Sequence, residues 1–129
     1  MEIVPQAIDN ARENAKLNGI ENVEFFVGKA EEVLPGFYAE HKNEKTDMLH
    51  PDVIVVDPPR KGCDEQTISA ICKMNPKRIV MVSCNPATAA RDCSILSTMG
   101  YTTEKVQPVD LFGGTGHVEC VVLLSRNEG

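Results

Sequence analysis

Two runs of β-branched residues, each followed by a polar loop with proline, constrain the fold of this chain most. Residues 52–57 and 78–83 contain the apolar runs Val53–Val56 and Ile79–Val82 without alternation, which is typical of strands that are covered on both faces. Between them, a helix is predicted from its N-cap Asp64 through Lys73, and Asn75-Pro76 ends it. A strand, a helix and a second strand in this order predict a parallel pair joined by a crossover. The chain is therefore expected to be an α/β protein.

Further elements extend this alternation in both directions. Before the first run we predict an extended stub at 2–4, a helix at 5–17 that stops at Asn18-Gly19, a strand at 23–27, a helical turn at 30–34 and a mobile loop at 40–47. After the second run we predict a helix from Asn85-Pro86 to residues 99–100, strands at 101–108 and 118–125, and a flexible connection at 113–116. Together they indicate a doubly wound, mostly parallel sheet with helices on both faces. Ligands bind such sheets beyond the carboxyl ends of the strands.

The composition limits the classes to which the protein can belong. Its 129 residues are enough for one core of ordinary size but too few for two. The 13 basic and 19 acidic residues give a net charge of −6, which argues mildly against RNA binding because nucleic-acid binders usually carry a basic footprint. No apolar run approaches the roughly 20 residues that cross a bilayer, and no secretory leader is recognised. We therefore expect a cytoplasmic protein.

One of the five cysteines is a candidate nucleophile. No two cysteines form a Cys-x-x-Cys pair, which argues against a zinc ribbon and a redox dithiol, so free thiols are expected. Cys84 lies between a predicted strand and the start of the next helix, where free backbone amides favour an anion. The alternative interpretation is a buried and unreactive thiol, like those of most cysteines.

Polar residues also follow or begin the other predicted strands. In the segment Asp57-Pro58-Pro59-Arg60, two prolines fix φ and remove two amide donors. Such a rigid loop can hold a planar ligand, with Asp57 as acceptor and Arg60 near phosphate, or it can be an ordinary turn into a helix. Glu119 enters an apolar strand, where a carboxylate either has a partner or serves as a general base. Glu2 is at the tip of a second strand, where related folds bind ribose hydroxyls through an acid.

Three motifs in these places resemble those of a known family. DPPRKG at 57–62, VSCNPAT at 82–88 and HVECV at 117–121 are similar to the successive motifs of the RNA (uracil-5-)-methyltransferases. These enzymes use S-adenosylmethionine to make 5-methyluridine in ribosomal and transfer RNA. The resemblance runs from residue 2 to about residue 124, with the motifs in family order. Segments 61–64 and 107–110 are most similar to the bacterial 23S ribosomal RNA branch.

The resemblance implies a role for each candidate residue. Cys84 would be the nucleophile that adds to the uracil ring, and Glu119 the base that removes its proton. Glu2 would hold the cofactor ribose, Asp57 would face the cofactor and the target base, and Lys29 would lie near the adenine. No metal is implied. The fold would be the Rossmann-like fold of class I S-adenosylmethionine-dependent methyltransferases.

The resemblance also implies that residues 1–129 are part of a catalytic domain. The first βα unit of that fold, with its Gly-rich cofactor loop, is not found in the sequence. We therefore expect that residues 1–129 alone neither bind the cofactor well nor methylate RNA, and that the exposed flank of the sheet promotes self-association.

Two other functions fit parts of the pattern. A methyltransferase acting on an exocyclic amine could hold that amine with the segment Asp57-Pro58-Pro59 and would not need the thiol of Cys84. A non-catalytic α/β binding or assembly module would agree with the acidic net charge.

Overall fold

The fold was analysed in a computed structural model, which describes residues 1, 4–29, 32–33, 36, 50–110 and 119–128. The chain forms two compact units, residues 1–43 and 44–129. The candidate residues Glu2 and Lys29 belong to the first unit by sequence, and Asp57, Cys84 and Glu119 belong to the second. Glu2 lies outside the described residues.

A helix dominates the described part of the amino-terminal unit. Helix α1 spans Pro5–Leu17, as predicted, because proline is favoured in the first turn of a helix, where its missing N–H costs nothing. The helix ends at Asn18, and Gly19 follows with a φ of +66°. That left-handed conformation is readily adopted by glycine. Ile8 is the buried residue of the helix.

The prediction of a strand at 23–27 is wrong. Residues 23–26 have no regular secondary structure, and Val27 makes a single β-bridge. A strand needs a neighbour along its whole length to satisfy its backbone hydrogen bonds. Val23 and Val27 are also 41% and 45% exposed, so burial does not hold them in a sheet.

A helical turn follows this segment, in agreement with the prediction for residues 30–34. The carbonyl of Lys29 accepts hydrogen bonds from the amides of Glu32 and Val33 at 3.0 and 2.8 Å. The loop predicted at 40–47 lies outside the described residues.

The carboxyl-terminal unit contains the α/β pattern that the sequence predicts. Its elements are β1 (Val53–Val56), α2 (Glu65–Met74), β2 (Arg78–Ser83), α3 (Pro86–Thr98), β3 (Tyr101–Val109) and β4 (Glu119–Arg126). The side chain of Asp64 caps α2 by accepting a hydrogen bond from the amide of Thr67 at 2.8 Å. Asn75 ends α2 with a left-handed φ of 52°. The connection predicted at 113–116 lies outside the described residues.

The described sheet is mixed, where the sequence pattern predicted a mostly parallel one. Its strand order is β1-β2-β4-β3, in which β1 and β2 are parallel and the other two pairs are antiparallel. The connection between β3 and β4 is short, which suits an antiparallel pair because a parallel pair needs a crossover of about a dozen residues or more. These pairings confirm the α/β class.

One face of the sheet carries the core. Alternate residues of β2 and β4 pack with residues of both helices in one buried cluster, which includes Ile68, Ile71, Ile79, Met81, Leu96, Val122 and Leu124. The opposite face of β1 is open, since Val53 and Val55 are 47% and 66% exposed. The prediction that this strand is covered on both faces is therefore wrong for the described residues. Continuous β-branched sequence gave that expectation, but β1 is at the edge of the described sheet.

Candidate active site

Three of the predicted site residues lie at the same edge of the sheet, called the site edge below. Strands β1 and β2 are parallel, with Val56 opposite Met81, so their carboxyl ends are at this edge. Asp57 follows β1, and Cys84 follows β2. Strand β4 is antiparallel to β2, so its first residue, Glu119, is at the same edge.

Cys84 and Glu119 flank the last residue pair between β2 and β4. That pair is Ser83 with Cys120. Cys84 comes directly after Ser83, in a bend that follows β2, and Glu119 comes directly before Cys120 as the first residue of β4. The register therefore puts the backbones at Cys84 and Glu119 at the same end of these two strands.

The site edge is partly accessible to solvent. Side chains alternate between the two faces of a strand, and Ser83 and Cys120 are buried at 2% and 7% exposure. Cys84 and Glu119 are half-buried, and Asp57 is exposed. Each of the three residues is therefore at least partly exposed to solvent at this edge.

A short hydrogen-bonded turn holds Cys84 between strand and helix. The hydroxyl of Ser83 accepts a hydrogen bond from the amide of Asn85 at 3.1 Å and lies 3.0 Å from its carbonyl oxygen. The side-chain oxygen of Asn85 in turn accepts from the amide of Ala87 at 3.1 Å, which confirms Asn85 as the N-cap of α3. Both contacts fix the backbone on either side of the thiol.

The other cysteines are less suited to act as nucleophiles. Burial raises the pKa of the Cys63 thiol to about 12, and the nearby Asp92 carboxylate contributes to that rise. Burial also raises the pKa of Cys72 and of Cys93. A raised pKa lowers the fraction of thiolate, which is the reactive form. Cys120 is buried.

Sequence reasoning missed a set of side chains that hold the Asp57 loop, residues 57–63, against α3. The side-chain amide of Asn85 and the hydroxyl of Thr88 lie 3.1 and 3.0 Å from the carbonyl oxygen of Arg60. The guanidinium of Arg91 donates to the carbonyl of Lys61 at 2.6 Å. We call the side chains of Asn85, Thr88, Arg91 and Asp92 the loop clamp.

Asp92 completes the loop clamp from inside the protein. Its carboxylate is fully buried, accepts a hydrogen bond from the amide of Cys63 at 2.8 Å and pairs with Arg91 at 3.2 Å. Gly62 passes close by with a φ of +85°. A Cβ atom there would come within 2.4 Å of Nη2 of Arg91 and 2.7 Å of Oδ2 of Asp92, so the close approach requires glycine.

The spacing of the loop clamp is the signal that could have revealed it. Its members are three, three and one residues apart in sequence, and residues three or four apart share one face of a helix. Polar residues on one face of a helix that begins at a candidate nucleophile indicate a contact with a neighbouring loop. Their loop partners lie 25 to 30 residues away in sequence, which the spacing alone does not show.

Lys29 is in the amino-terminal unit, where its ammonium lies 4.0 Å from the carboxylate of Glu32 and is 56% exposed. An open groove of about 530 Å³ in this unit is lined by residues that include Arg12, Lys16, Phe25 and Phe26. None of the predicted site residues lines that groove. The roles of Lys29 and Glu2 stay predictions.

Two general properties were also tested on the described residues. Among them, no group of three or more histidine, cysteine, aspartate or glutamate side chains is placed to hold a metal ion. Within the same part of the chain, every helix is too short or too polar to cross a membrane.

Comparison with known proteins identifies the family. The model of the tRNA (uracil-5-)-methyltransferase family matches residues 1–127. The chain belongs to this family. Two relatives are bacterial proteins that both carry the description "uncharacterized RNA methyltransferase". One from Bacillus cereus strain ATCC 10987 is 56% identical over 99% of the chain, and one from Oceanobacillus iheyensis is 55% identical over 97% of it.

Solved structures agree with this family and with the fold. The tRNA (uracil-54, C5)-methyltransferase of Pyrococcus abyssi, in complex with S-adenosyl-L-homocysteine, is 33% identical and superposes with a TM-score of 0.73 over 95% of the chain. An rRNA methylase from Streptococcus thermophilus, at 12% identity and a TM-score of 0.64, supports the fold alone. The fold is that of the class I S-adenosylmethionine-dependent methyltransferases, as predicted. The chain spans 26% of the length of the two bacterial relatives and 27% of the Pyrococcus protein.

Proposed function

We propose that this methyltransferase transfers a methyl group from S-adenosylmethionine to carbon 5 of a uridine in RNA, through a covalent adduct between Cys84 and carbon 6. The observation that supports the proposal is the register of β1, β2 and β4, which puts the strand ends that carry Asp57, Cys84 and Glu119 at one edge of the sheet. A thiol and a carboxylate are the two groups that this chemistry needs.

Cys84 begins the reaction. Carbon 5 of uracil is a poor nucleophile, so the thiolate of Cys84 adds to carbon 6 and the electrons of the 5,6 double bond move into an enolate. The turn between Ser83 and Asn85 supports this role because it fixes the thiol at the accessible end of β2. The target base must leave any stack to reach the thiol, which agrees with a site at a strand end.

Glu119 ends the reaction. Once carbon 5 carries the new methyl group, the carboxylate of Glu119 removes the remaining proton from that carbon. The electron pair of the broken C–H bond restores the double bond, and the thiolate of Cys84 leaves carbon 6. Without the base, the enzyme would stay bound to its RNA.

Asp57, Glu2 and Lys29 are the residues proposed to contact the cofactor. When bound, S-adenosylmethionine supplies an electrophilic methyl group to carbon 5. Asp57 suits a role beside it because its carboxylate is exposed at a strand end and the following prolines keep the loop rigid. We assign Glu2 to the ribose and Lys29 to the neighbourhood of the adenine, on the resemblance to the family. The Pyrococcus relative in complex with S-adenosyl-L-homocysteine supports this cofactor.

The proposed RNA is 23S ribosomal RNA, in the cytoplasm. This choice follows from segments 61–64 and 107–110, which are most similar to the ribosomal branch. The second of these lies at the site edge, since Val109 is the partner of Glu119 in the sheet. The family model and the Pyrococcus relative are both named for transfer RNA, so both RNAs belong in the test.

The test uses a chimera in which this chain replaces the matching segment of the Bacillus cereus relative. Incubation with cofactor and RNA containing 5-fluorouridine traps the adduct, because fluorine leaves no proton on carbon 5 for a base to remove. Intact mass should show a covalent RNA adduct for the chimera and none for Cys84→Ala. Glu119→Gln should trap an adduct with ordinary RNA. Cys72→Ala is the matched control and should form the adduct normally.

The outcomes separate the competing functions. Methylation that survives Cys84→Ala would contradict the proposal and support transfer to an exocyclic amine. Formation of 5-methyluridine in transfer RNA but not in 23S ribosomal RNA would contradict only the assignment of the RNA.

We also propose that the activity needs more sequence than residues 1–129. The chain spans about a quarter of its bacterial relatives, so the chain alone is expected neither to bind S-adenosylmethionine well nor to methylate RNA. Micromolar binding in a calorimetric titration of the 129-residue chain would contradict this expectation.

A further inference from the structure

We infer that Arg91 and Asp92 are positioning residues. They hold the loop that carries Asp57 in a fixed position relative to the turn that carries Cys84. The inference rests on the proposed function, because it concerns the same site. It assigns a positioning role to two side chains on the second turn of α3, neither of which belongs to the motifs that indicate the reaction.

The loop depends on these side chains because its own backbone offers few hydrogen bonds. Pro58 and Pro59 have no N–H, and the amide of Gly62 donates to the carbonyl of Pro59 at 2.8 Å. Side chains at the start of α3 and along it attach the loop to the rest of the unit. Arg91 reaches the carbonyls of Lys61 and Cys63 at 2.6 and 3.5 Å.

The burial of Asp92 indicates that its carboxylate serves to position neighbouring groups and not only to stabilise the fold. The ion pair is partly buried, since the Asp92 side chain is fully buried and the Arg91 side chain is 51% exposed. An ion pair that gives up hydration can contribute little net stability while it specifies one arrangement of its neighbours. Asp92 is fully buried, and each of its oxygens has a partner: Oδ2 accepts from the amide of Cys63, and Oδ1 pairs with Arg91. The pair therefore fixes the carboxyl end of the loop at a defined distance from α3.

Loosening this pair should move Asp57 without moving Cys84. The thiol residue is held separately, by the bonds between Ser83 and Asn85. The proposed reaction needs the cofactor, the base and the thiol in one geometry, and a misplacement of about 1 Å can lower a rate about a hundredfold. The effect of the pair should therefore appear in the rate of methyl transfer rather than in the reactivity of the thiol.

The experiment compares Arg91→Met with Arg126→Met. Arg126 is a matched control because it also donates to a backbone carbonyl, that of Asn75, at 2.7 Å, but at the opposite edge of the sheet. In the chimera, Arg91→Met should lower kcat for 5-methyluridine formation about ten- to a hundredfold, with KM changed much less. The rate at which iodoacetamide alkylates Cys84 should stay within about twofold. Arg126→Met should leave kcat unchanged, and Arg91→Lys should recover part of it.

A second readout does not depend on activity. In the 129-residue chain, hydrogen exchange at the amides of Gly62 and Cys63 should become at least about tenfold faster in Arg91→Met and stay unchanged in Arg126→Met. If Arg91→Met does not fold, Thr88→Val replaces it, since valine keeps the shape and removes the hydroxyl that lies 3.0 Å from the Arg60 carbonyl oxygen and 3.1 Å from that of Asn85. Thr88→Val should lower kcat in the same direction.

Equal losses of kcat in Arg91→Met and Arg126→Met, or unchanged exchange at Gly62 and Cys63, would overturn the inference. A loss of Cys84 alkylation parallel to the loss of kcat would overturn it as well. Failure of the proposed function looks different: the unmodified chimera would then make no 5-methyluridine, while the exchange rates would still report whether the pair holds the loop.

Discussion

The buried thiol of Cys63 predicts how the stability of the chain depends on pH. Its pKa is raised from 9.0 to about 12 in the folded protein, first by burial and then by Asp92. Because the folded pKa is above the unfolded one, the folded state retains a proton that the unfolded state loses between these values. The stabilising contribution is therefore complete below pH 9 and is lost as pH rises toward 12.

The magnitude follows from the size of the shift. Between pH 8 and pH 10 only the thiol of the unfolded chain ionises, and it does so over the one pH unit above its pKa of 9.0. One unit corresponds to about 1.4 kcal/mol, so this thiol alone should lower the free energy of unfolding by about that amount over the interval. Urea unfolding of the 129-residue chain at both pH values measures the fall. Cys63→Ala and Cys63→Ser should each lose that part of the pH dependence, whatever their stability at pH 8. An unchanged pH dependence in both variants would refute the reasoning.

Three further predictions concern the sheet edge, the loop and the thiols. Val55→Lys should reduce self-association of the chain, because it places a charge on the exposed apolar edge of the sheet. Size exclusion with light scattering measures this, and a monomeric unsubstituted chain would contradict the prediction. Gly62→Ala should lower the free energy of unfolding by about 2–3 kcal/mol, and by more than Gly100→Ala. Of these two positions, Gly62 is the one at which the new Cβ meets neighbouring atoms. Equal urea midpoints for the two variants would contradict this. Iodoacetamide should modify Cys84 well before Cys63, whose raised pKa suppresses its thiolate, and peptide mass mapping should show that order.

Local sequence signals predicted the helices well, because a capping or terminating residue acts on the helix that it bounds. Pro5 and Gly19 mark both ends of α1, and Asp64 caps α2, so the helix bounds could be read within a residue. The strand expected at 23–27 failed because a strand depends on a neighbour that the local sequence does not specify. The exposure of Val55 was missed for the same reason, since burial depends on what packs against the strand.

The candidate site was likewise predicted only in part from the sequence. The position of Cys84 at a strand end follows from local sequence, and the placement of Glu119 at the same sheet edge follows from the antiparallel pairing of β2 and β4. The partners of the loop clamp could not be predicted, because Arg91 and Asp92 contact backbone groups that lie about 30 residues away in sequence. Their spacing on α3 indicates a contact on that face, but which loop is contacted depends on tertiary packing.

The approach of Cys84 to Glu119 can be tested directly by disulfide formation. Cysteine at position 119, introduced by Glu119→Cys, should form a disulfide with Cys84 under mild oxidation, since bridged Cβ atoms lie about 3.5–4.5 Å apart and the register puts both backbones at the same end of β2 and β4. Leu123→Cys is the control, four residues farther along the same strand and therefore about 13 Å away. Peptide mapping by mass should find the bridge in Glu119→Cys and not in Leu123→Cys. Bridging that is equally slow in both variants would contradict the shared site of thiol and carboxylate.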